Sequence, residues 1–230
     1  MAIQVRILPS PELYLRDPQD TELGRRMLEA SIALIDELGL ESFTFKKLAK
    51  ELKSAEASVY RYFSNKHQLL LYLVNWYWDW VHHLVNMAVV SNNTPEKRLR
   101  AAVGALTKPF LANPGVPYID ERVLHRLVIS EGSKAYHTKA VDRENRKGVF
   151  QGYQSLTTDL ARLILDIKPD FPYPRALATN LFETAHNHPY FAEHLPRLTD
   201  LDHCPDFSQS LDNMLWFWVQ RLLDLPPDEE

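Results

Sequence analysis

Residues 43–70 read FTFKKLAKELKSAEASVYRYFSNKHQLL, and this stretch decides the fold. Thr44 is a typical N-cap residue, and apolar side chains follow it at the three-to-four-residue spacing of an amphipathic helix, with lysines on the opposite side. A second short helix is predicted at about 56–63. Ser64 is then expected to cap a much longer helix that extends to about Val90.

The residues before this stretch predict one more helix, from Thr21 to Leu38. Thr21 is a good N-cap, and Gly39 stands where a left-handed residue most easily ends a helix. Three short helices that lead into a long fourth one predict a helix-turn-helix bundle. In such a bundle one helix braces on the DNA backbone, and the next places its N-terminal residues on base edges in the major groove.

Positive charge is concentrated in the same region. Between Ser42 and Leu69 the chain has six Lys and Arg residues and two Glu, a net charge of +4, whereas the whole chain has a formal net charge of −4. A basic region on an acidic protein indicates that one small surface meets a polyanion. Chance variation of charge in a short window remains the alternative explanation.

The remaining sequence predicts an all-α protein. Only 7 of 230 residues are Gly, too few for the tight turns of an all-β protein or for Gly-rich phosphate loops. About nine helices and no strand are expected, with a break at 113–117 and an irregular segment at 190–205. The later helices are predicted to start at Thr94 and to occupy about 118–131, 134–167, 174–187 and 207–225. The helix over 64–90 is apolar on almost every face, which predicts burial on every face.

Four segments are expected along the chain. Residues 1–20 contain three prolines and predict a flexible N-terminal arm, and residues 21–68 form the helix-turn-helix domain. Residues 69–225 form a larger helical domain, joined to the first through the long fourth helix. Residues 226–230 are an acidic tail.

The composition also indicates where the protein works. A lone cysteine, Cys204, excludes a disulfide framework and is typical of a reducing compartment. The N-terminus lacks the features of a signal peptide, and no stretch of 18 apolar residues predicts a membrane span. We therefore expect a cytoplasmic protein without a membrane partner.

Several segments resemble the TetR family of bacterial transcription regulators. They are RMLEA at 26–30, LGL at 38–40, FTFKKLA at 43–49, SVYRYFSNK at 58–66 and the leucine pair at 69–70. The resemblance implies a DNA-binding head and a larger helical body that binds a ligand and dimerises. It also implies a repressor rather than an activator, bound to a double-stranded DNA operator.

One turn departs from the family pattern. The family has a turn similar to Gly-Val-Ser before its recognition helix, where this chain has Lys53, Ser54 and Ala55. Lys in place of Gly costs about 1 kcal/mol if the position needs a positive φ. Ala55 cannot cap the following helix with its side chain, unless Ser54 does so one residue earlier.

The resemblance also implies which residues contact DNA. Phosphate contacts are expected from Thr44, Tyr60, Tyr62 and Lys66, with Lys46, Lys47 and Arg61 as basic neighbours. Base contacts are expected from Glu56, Ala57 and Ser58, with Ser54 and Ala55 adjacent. A carboxylate such as Glu56 can accept a hydrogen bond from a cytosine amino group, although the helix dipole also favours an acid at this position. Tyr60 and Phe63 can equally be packing residues of the small domain, and Phe63 fits that role better.

The last helix, about 207–225, is apolar on nearly all sides although it ends the chain. The resemblance implies a homodimer through the last two helices, at about 174–188 and 207–225. Two-fold symmetry then predicts a nearly palindromic operator. A buried core helix in a monomer is the alternative.

The family's body encloses a pocket for a small-molecule effector. Candidate lining residues are Trp76, Trp80, Tyr118, His125, Phe150 and Tyr153. An aromatic lining suits a flat or apolar ligand, although aromatic stripes of this spacing also occur in ordinary cores.

We expect neither an enzyme nor a resident cofactor. The chain has no short motif of hydrolases, phosphate-binding loops or zinc peptidases, and its nine histidines form no pair with metal-ligand spacing. Two alternatives stay open: a helical enzyme without short motifs, and a dimeric ligand-binding or scaffold protein whose DNA-binding head is degenerate.

Overall fold

The computed structural model describes residues 6–108, 116–201 and 206–227, and in these ranges the chain is helical without any strand. The predicted all-α class is confirmed, with eleven α-helices in the described ranges rather than nine. They are α1 (Glu22–Ser42), α2 (Phe45–Glu51), α3 (Glu56–Tyr60), α4 (Lys66–Val90), α5 (Pro95–Leu106), α6 (Glu121–Glu131), α7 (Ser133–Tyr136), α8 (Val141–Arg146), α9 (Gln151–Ile167), α10 (Pro174–His194) and α11 (Phe207–Leu223). No described helix is long and apolar enough to cross a lipid bilayer.

The helix predicted over 134–167 is wrong, because three helices occupy this range. α7 is a single turn, and α8 ends before Gly148, whose φ is +75°. A residue with positive φ cannot continue a right-handed helix. The helical path is therefore interrupted twice, between α7 and α8 and between α8 and α9.

Two further boundaries differ from the prediction. α10 does not end near Pro189 but continues through it to His194, so the segment predicted to be irregular is helical in its first part. α4 begins after Asn65 rather than after Ser64, since Asn65 Oδ1 accepts a hydrogen bond of 3.0 Å from the Gln68 amide. Residues 109–115, which include most of the predicted break at 113–117, lie outside the described residues.

The described chain divides into two compact units. The first comprises residues 6–80 and 116–153, and the second comprises 81–108, 154–201 and 206–227. The first unit thus contains α1–α3 together with α6–α8, and α4 belongs partly to each unit.

The N-terminal segment, expected to be a flexible arm, is folded over residues 6–20. Leu13 is buried, and the Leu15 amide donates to the Tyr62 carbonyl at 2.8 Å. Gln19 Nε2 donates to the Ile7 carbonyl at 2.6 Å. These contacts fasten the segment to the end of α3 within the first unit.

α1 breaks near its end, as the sequence predicts for Gly39. Gly39 has φ +72°, and the last turn of α1 follows it. Both backbone groups of Leu40 are then bound by side chains, because its amide donates to Glu131 Oε1 at 3.2 Å and its carbonyl accepts from Lys66 Nζ at 2.9 Å. Residues from α4 and α6 thereby fix the chain that enters α2.

The turn between α2 and α3 requires a positive φ at the position where the sequence has Lys53. Lys53 has φ +51°, its amide donates to the Lys50 carbonyl, and the Ser54 amide donates to the Ala49 carbonyl at 2.9 Å. This pair of bonds is a Schellman motif, in which Gly is the favoured left-handed residue. Ser54 does not cap α3, whose N-cap residue Ala55 makes no side-chain hydrogen bond.

α4 is buried along most of its length, as predicted, and contains one acidic side chain. Asp79 is largely buried, has no hydrogen-bond partner among the described residues, and lies so close to Gly152 that a Cβ there would overlap its carboxyl group. Burial raises the pKa of Asp79 from 3.8 to about 7.

The second unit packs α5, α10 and α11 together. Arg100 on α5 donates two hydrogen bonds of 2.6 Å to the carboxylate of Asp212, and its guanidinium lies 5.3 Å from the ring centroid of Trp216. Thr94 caps α5 as predicted by accepting a hydrogen bond from the Lys97 amide. A buried carboxylate with a bidentate arginine fixes the register of α11 against α5.

We predict that Lys53→Gly raises the free energy of unfolding by about 0.5–1 kcal/mol, because Gly adopts a positive φ without a Cβ clash. Urea denaturation measures the change. Lys50→Gly is the matched control, since it removes an exposed lysine from a helical position and should lower stability by about 1 kcal/mol. A loss of stability in both variants would contradict the assignment of strain to Lys53.

We also predict that Asp79 makes stability depend on pH. The folded state keeps the proton up to about pH 7 and the unfolded chain loses it near 3.8, so the free energy of unfolding falls as pH rises between these values. The fall is at most about 4 kcal/mol. Asp79→Asn should remove it, whereas Asp142→Asn, at an exposed position in the same unit, should leave it unchanged. Denaturation curves at several pH values measure both, and an unchanged slope in Asp79→Asn would contradict the prediction.

Candidate nucleic-acid interface

α2 presents a basic face to solvent because its apolar residues point into the first unit. Phe45, Leu48 and Ala49 are buried, whereas Lys46, Lys47 and Lys50 are exposed. Thr44 caps the helix by accepting a hydrogen bond of 3.2 Å from the Lys47 amide. The predicted cap and the predicted polarity of this helix are both confirmed.

α3 is short and anchored on one side only. Val59 is fully buried, while Glu56 and Ala57 are exposed in the first turn and Ser58 is partly exposed. Tyr60 is 47% exposed, and its ring stands edge-on to Phe45 with the centroids 5.0 Å apart. This contact places the exposed end of α3 against the start of α2.

The two aromatic residues after Tyr60 are buried. Tyr62 is 2% exposed, and its hydroxyl lies 2.7 Å from Thr21 Oγ1, at the N-cap of α1. Phe63 is fully buried and packs edge-on against Tyr72 at 5.4 Å, which confirms its packing role. Tyr62 therefore connects α3 to the start of α1 and is not on the exposed face.

Two of the predicted lysines bind carbonyl oxygens of their own chain. Lys66 Nζ donates to the carbonyls of Leu40 and Glu41 at 2.9 and 3.2 Å, and Lys47 Nζ donates to the Ser42 carbonyl at 2.8 Å. These carbonyls lie at the end of α1, where no further helical turn supplies amides. Both lysines keep their charge at the surface while they hold the junction of α1 and α2.

Four other cations on this face do not bind carbonyl oxygens of the described chain. Among the described residues, Lys46, Lys50, Lys53 and Arg61 are exposed and form no ion pair or side-chain hydrogen bond. Exposed cations without carboxylate partners are available for an external anion. Of the twelve predicted DNA contacts, eleven thus reach the surface of the first unit, and Tyr62 does not.

Sequence reasoning also missed a cation near Tyr62. Arg16 is exposed, and its guanidinium lies 5.7 Å from the ring centroid of Tyr62. The segment that contains it lacks helical periodicity and was expected to be flexible. The signal that could have identified it is the pair of apolar residues Ile7 and Leu13, which are buried.

The six predicted effector-lining residues all belong to the first unit, where most of them pack against aromatic rings. Trp76 and Trp80 are buried and stack with centroids 6.0 Å apart. The ring of His125 stacks on Tyr77 at 5.7 Å, and Tyr153 stands edge-on to Trp78 at 5.0 Å.

The other two lining candidates lie closer to the surface. Tyr118 donates from its hydroxyl to Gln19 Oε1 at 2.9 Å, and Phe150 is partly exposed. Within the described ranges no three His, Cys, Asp or Glu residues are grouped to hold a metal ion. His203 and Cys204 lie outside those ranges.

The comparison with known proteins agrees with this geometry. Residues 27–73, which contain most of α1, all of α2 and α3 and the start of α4, match the family model of bacterial regulatory proteins, tetR family. Over 124 residues the chain is 26% identical to the HTH-type transcriptional repressor KstR of Mycolicibacterium smegmatis, covering 54% of this chain and 59% of that protein. The chain thus spans less than two thirds of the length of this relative.

Solved structures share the fold across most of the chain. A bacterial regulatory protein in the tetR family from Rhodococcus RHA1 superposes with a TM-score of 0.62 at 15% identity, covering 91% of this chain and 100% of that one. AibR in complex with isovaleryl coenzyme A and operator DNA gives a TM-score of 0.59 at 17% identity, covering 85% and 97%. The segment that matches the tetR family model, residues 27–73, is thus the same segment that forms the helix-turn-helix.

Proposed function

We propose that this protein is a sequence-specific DNA-binding transcriptional repressor. In this proposal it acts as a homodimer in the cytoplasm, and a small-molecule effector releases it from a nearly palindromic operator. It works by binding rather than by catalysis and needs no resident cofactor. The observation that carries the proposal is the exposed first turn of α3, which stands beside exposed and unpaired cations.

Base reading is assigned to the first turn of α3. Glu56, Ala57 and Ser58 reach the surface there, and Ser54 and Ala55 precede them in the turn. Glu56 carries the only charge of this group, and its carboxylate can accept a hydrogen bond from a cytosine amino group in the major groove. Ala57 is small enough to let the helix approach the base edges closely.

Phosphate binding is assigned to the residues around this turn. Thr44, Lys46, Tyr60 and Arg61 are exposed on α2, on α3 and at their ends, and such contacts determine affinity and position without reading sequence. Lys47 and Lys66 are assigned a double role, because their ammonium groups hold carbonyls of α1 and also add positive charge. Tyr62 is assigned a positioning role through its bond to Thr21.

Dimerisation is assigned to α10 and α11. On α11, Phe217 is 52% exposed and Leu222 is 47% exposed, and Arg221 covers the Phe217 ring at 5.2 Å. Exposed aromatic and aliphatic side chains on one helix support this assignment. A second copy of the same helix pair would bury them in a symmetric interface.

Effector control is assigned to the aromatic cluster of the first unit. α6 contains both His125, which stacks on α4, and Glu131, whose carboxylate binds the Leu40 amide before α2. These two residues are six apart, or about 9 Å along one rigid helix. A ligand that separates Tyr77 from His125 would move α6, and the DNA-binding helices would follow. Only a ligand with different affinities for the two states can shift the equilibrium.

A flat or apolar effector fits this cluster, since aromatic rings form most of it. In the AibR structure the ligand is isovaleryl coenzyme A, which contains a short branched acyl chain. We extend the binding of a small molecule to this chain, without assigning the same ligand.

The alternative is a ligand-binding or scaffold protein with a degenerate DNA-binding head. Lys53 and Ala55 favour this alternative, because they replace the residues that the family has in the turn. Lys53 nevertheless adopts the positive φ of the Schellman motif, so the turn forms with Lys at the position where Gly is favoured. This observation favours the repressor over the scaffold.

The first experiment is selection from a random duplex library by the purified full chain at moderate salt. We expect enrichment of a nearly palindromic site whose half-sites are about one helical turn apart. Analytical ultracentrifugation with and without the enriched duplex gives the number of protomers bound. No enrichment at any salt concentration would favour the scaffold instead.

With that operator, Glu56→Ala should relax the preference at one base pair in each half-site by about 5- to 150-fold. The carboxylate discriminates between bases, so its removal changes the preference at that base pair. Its removal also ends the repulsion between the carboxylate and the phosphates, which changes the affinity for all sequences equally. Glu51→Ala is the matched control, because it removes an exposed carboxylate from α2 and should retain the wild-type preference. Equal binding changes on all operator variants after Glu56→Ala would rule out base reading by this residue.

A further inference from the structure

A second group of exposed cations lies in the first unit, outside the helix-turn-helix. Residues 133–147, which contain α7 and α8, have five Lys and Arg residues and two acidic residues. Lys134 pairs with Glu131 at 2.7 Å, and Lys147 pairs with Glu12 at 3.0 Å. The other three basic residues of this segment form no ion pair among the described residues.

Those three are Lys139, Arg143 and Arg146, which we call the flanking cations. All three are exposed, and within the described chain none forms an ion pair or a side-chain hydrogen bond. Arg143 and Arg146 are three residues apart on α8, so they share one side of the helix and repel each other. Asp142 is exposed on the same helix and forms no ion pair with either arginine, and Glu144 is already paired with His67 at 3.2 Å.

Packing does not explain this arrangement. None of the residues of α8 is buried, so the helix gains little from apolar contact, although a six-residue helix is unstable by itself. Its attachment is polar, through Glu144 on α8 and through Lys147 directly after it. A surface helix that places unpaired arginines outward is typical of an anion-binding surface, because the guanidinium group matches phosphate geometry.

The flanking cations are attached next to the proposed DNA-binding face. Glu144 on α8 binds His67, which directly follows Lys66 in the first turn of α4. Lys134 on α7 lies 3.4 Å from Glu41, whose carbonyl is bound by Lys66 and which stands three residues before Thr44. All these contacts lie within one compact unit, so α7 and α8 extend the surface that starts at α2 and at the first turn of α4.

We infer that Lys139, Arg143 and Arg146 bind the phosphate backbone of duplex DNA that flanks the half-site contacted by α3. This inference rests on the proposed repressor function and extends its footprint. The contacts are independent of sequence, since cations on an exposed helix meet phosphates rather than base edges. They add affinity only when the duplex is long enough to reach α8.

The test compares two duplexes for each protein: the minimal selected operator, and the same operator extended by about ten base pairs on each side. Fluorescence anisotropy gives the dissociation constant over a salt series of about 50–300 mM. For the wild type, the logarithm of the association constant should fall more steeply with log salt on the long duplex, by about 0.9 for each added phosphate contact. The three flanking cations predict about three such contacts for each protomer. The variant Lys139→Gln/Arg143→Gln/Arg146→Gln should show the same slope on both duplexes.

Two controls make the result specific. Lys97→Gln/Lys108→Gln/Arg197→Gln removes three exposed, unpaired cations from the second unit, outside α10 and α11, and should retain the length dependence. Lys46→Gln should lower the slope equally on both duplexes, because Lys46 lies on α2 within the minimal footprint. Thermal unfolding followed by circular dichroism verifies that each variant is folded.

The outcomes separate this inference from the proposed function. If the wild type selects and binds the short operator but gains nothing from the longer duplex, or if the flanking variant keeps the wild-type gain, only the inference is overturned. It is also overturned if the second-unit control loses the gain, because net charge then accounts for it. If no protein prefers any duplex sequence, the repressor function and the inference fall together.

Discussion

The position of α2 and α3 depends on how the backbone of Leu40 is bound. Gly39 breaks α1 with a positive φ, which leaves the amide and carbonyl groups after it without helical partners. Glu131 on α6 accepts a hydrogen bond from the Leu40 amide, and Lys66 on α4 donates one to the Leu40 carbonyl. A buried backbone group without a partner is costly, so this pair of side chains determines where α2 starts relative to both helices. The orientation of α3 then follows through the Schellman turn and the contact between Phe45 and Tyr60.

Local signals made most of the helices predictable from the sequence. Thr21, Thr44 and Thr94 cap the helices that follow them, because capping depends only on residues within one turn. The failures have longer-range causes. Gly148 breaks a stretch whose periodicity favours one helix, and Pro189 remains inside α10 although its sequence context favours an end. Neither outcome can be predicted from a short stretch of sequence. Tertiary contacts decide whether breaking the helix or distorting it has the lower free energy.

The sequence predicted most residues of the candidate interface. It did not predict which of them are free to meet DNA and which bind other parts of the chain. Sequence resemblance indicated Lys66 and Tyr62 as phosphate contacts, yet Lys66 binds two carbonyls and Tyr62 is buried against Thr21. Their partners are 26 and 41 residues away in the chain, a distance that no spacing rule covers. The attachment of α8 to His67 was equally invisible, because it joins residues 77 apart. Positive charge is a local property of the sequence, whereas the availability of that charge depends on the fold.

At Lys53 the proposed DNA binding and the stability of the fold favour different residues. The Schellman turn needs a positive φ, so Gly would be the more stable choice, and Lys is strained by about 1 kcal/mol. In return, Lys53 adds an exposed and unpaired ammonium group directly before the first turn of α3. Each cation that meets a phosphate contributes to affinity through the counterions it releases. Backbone strain at this exposed turn is therefore compatible with the proposed DNA-binding surface, where the charge of Lys53 adds to affinity.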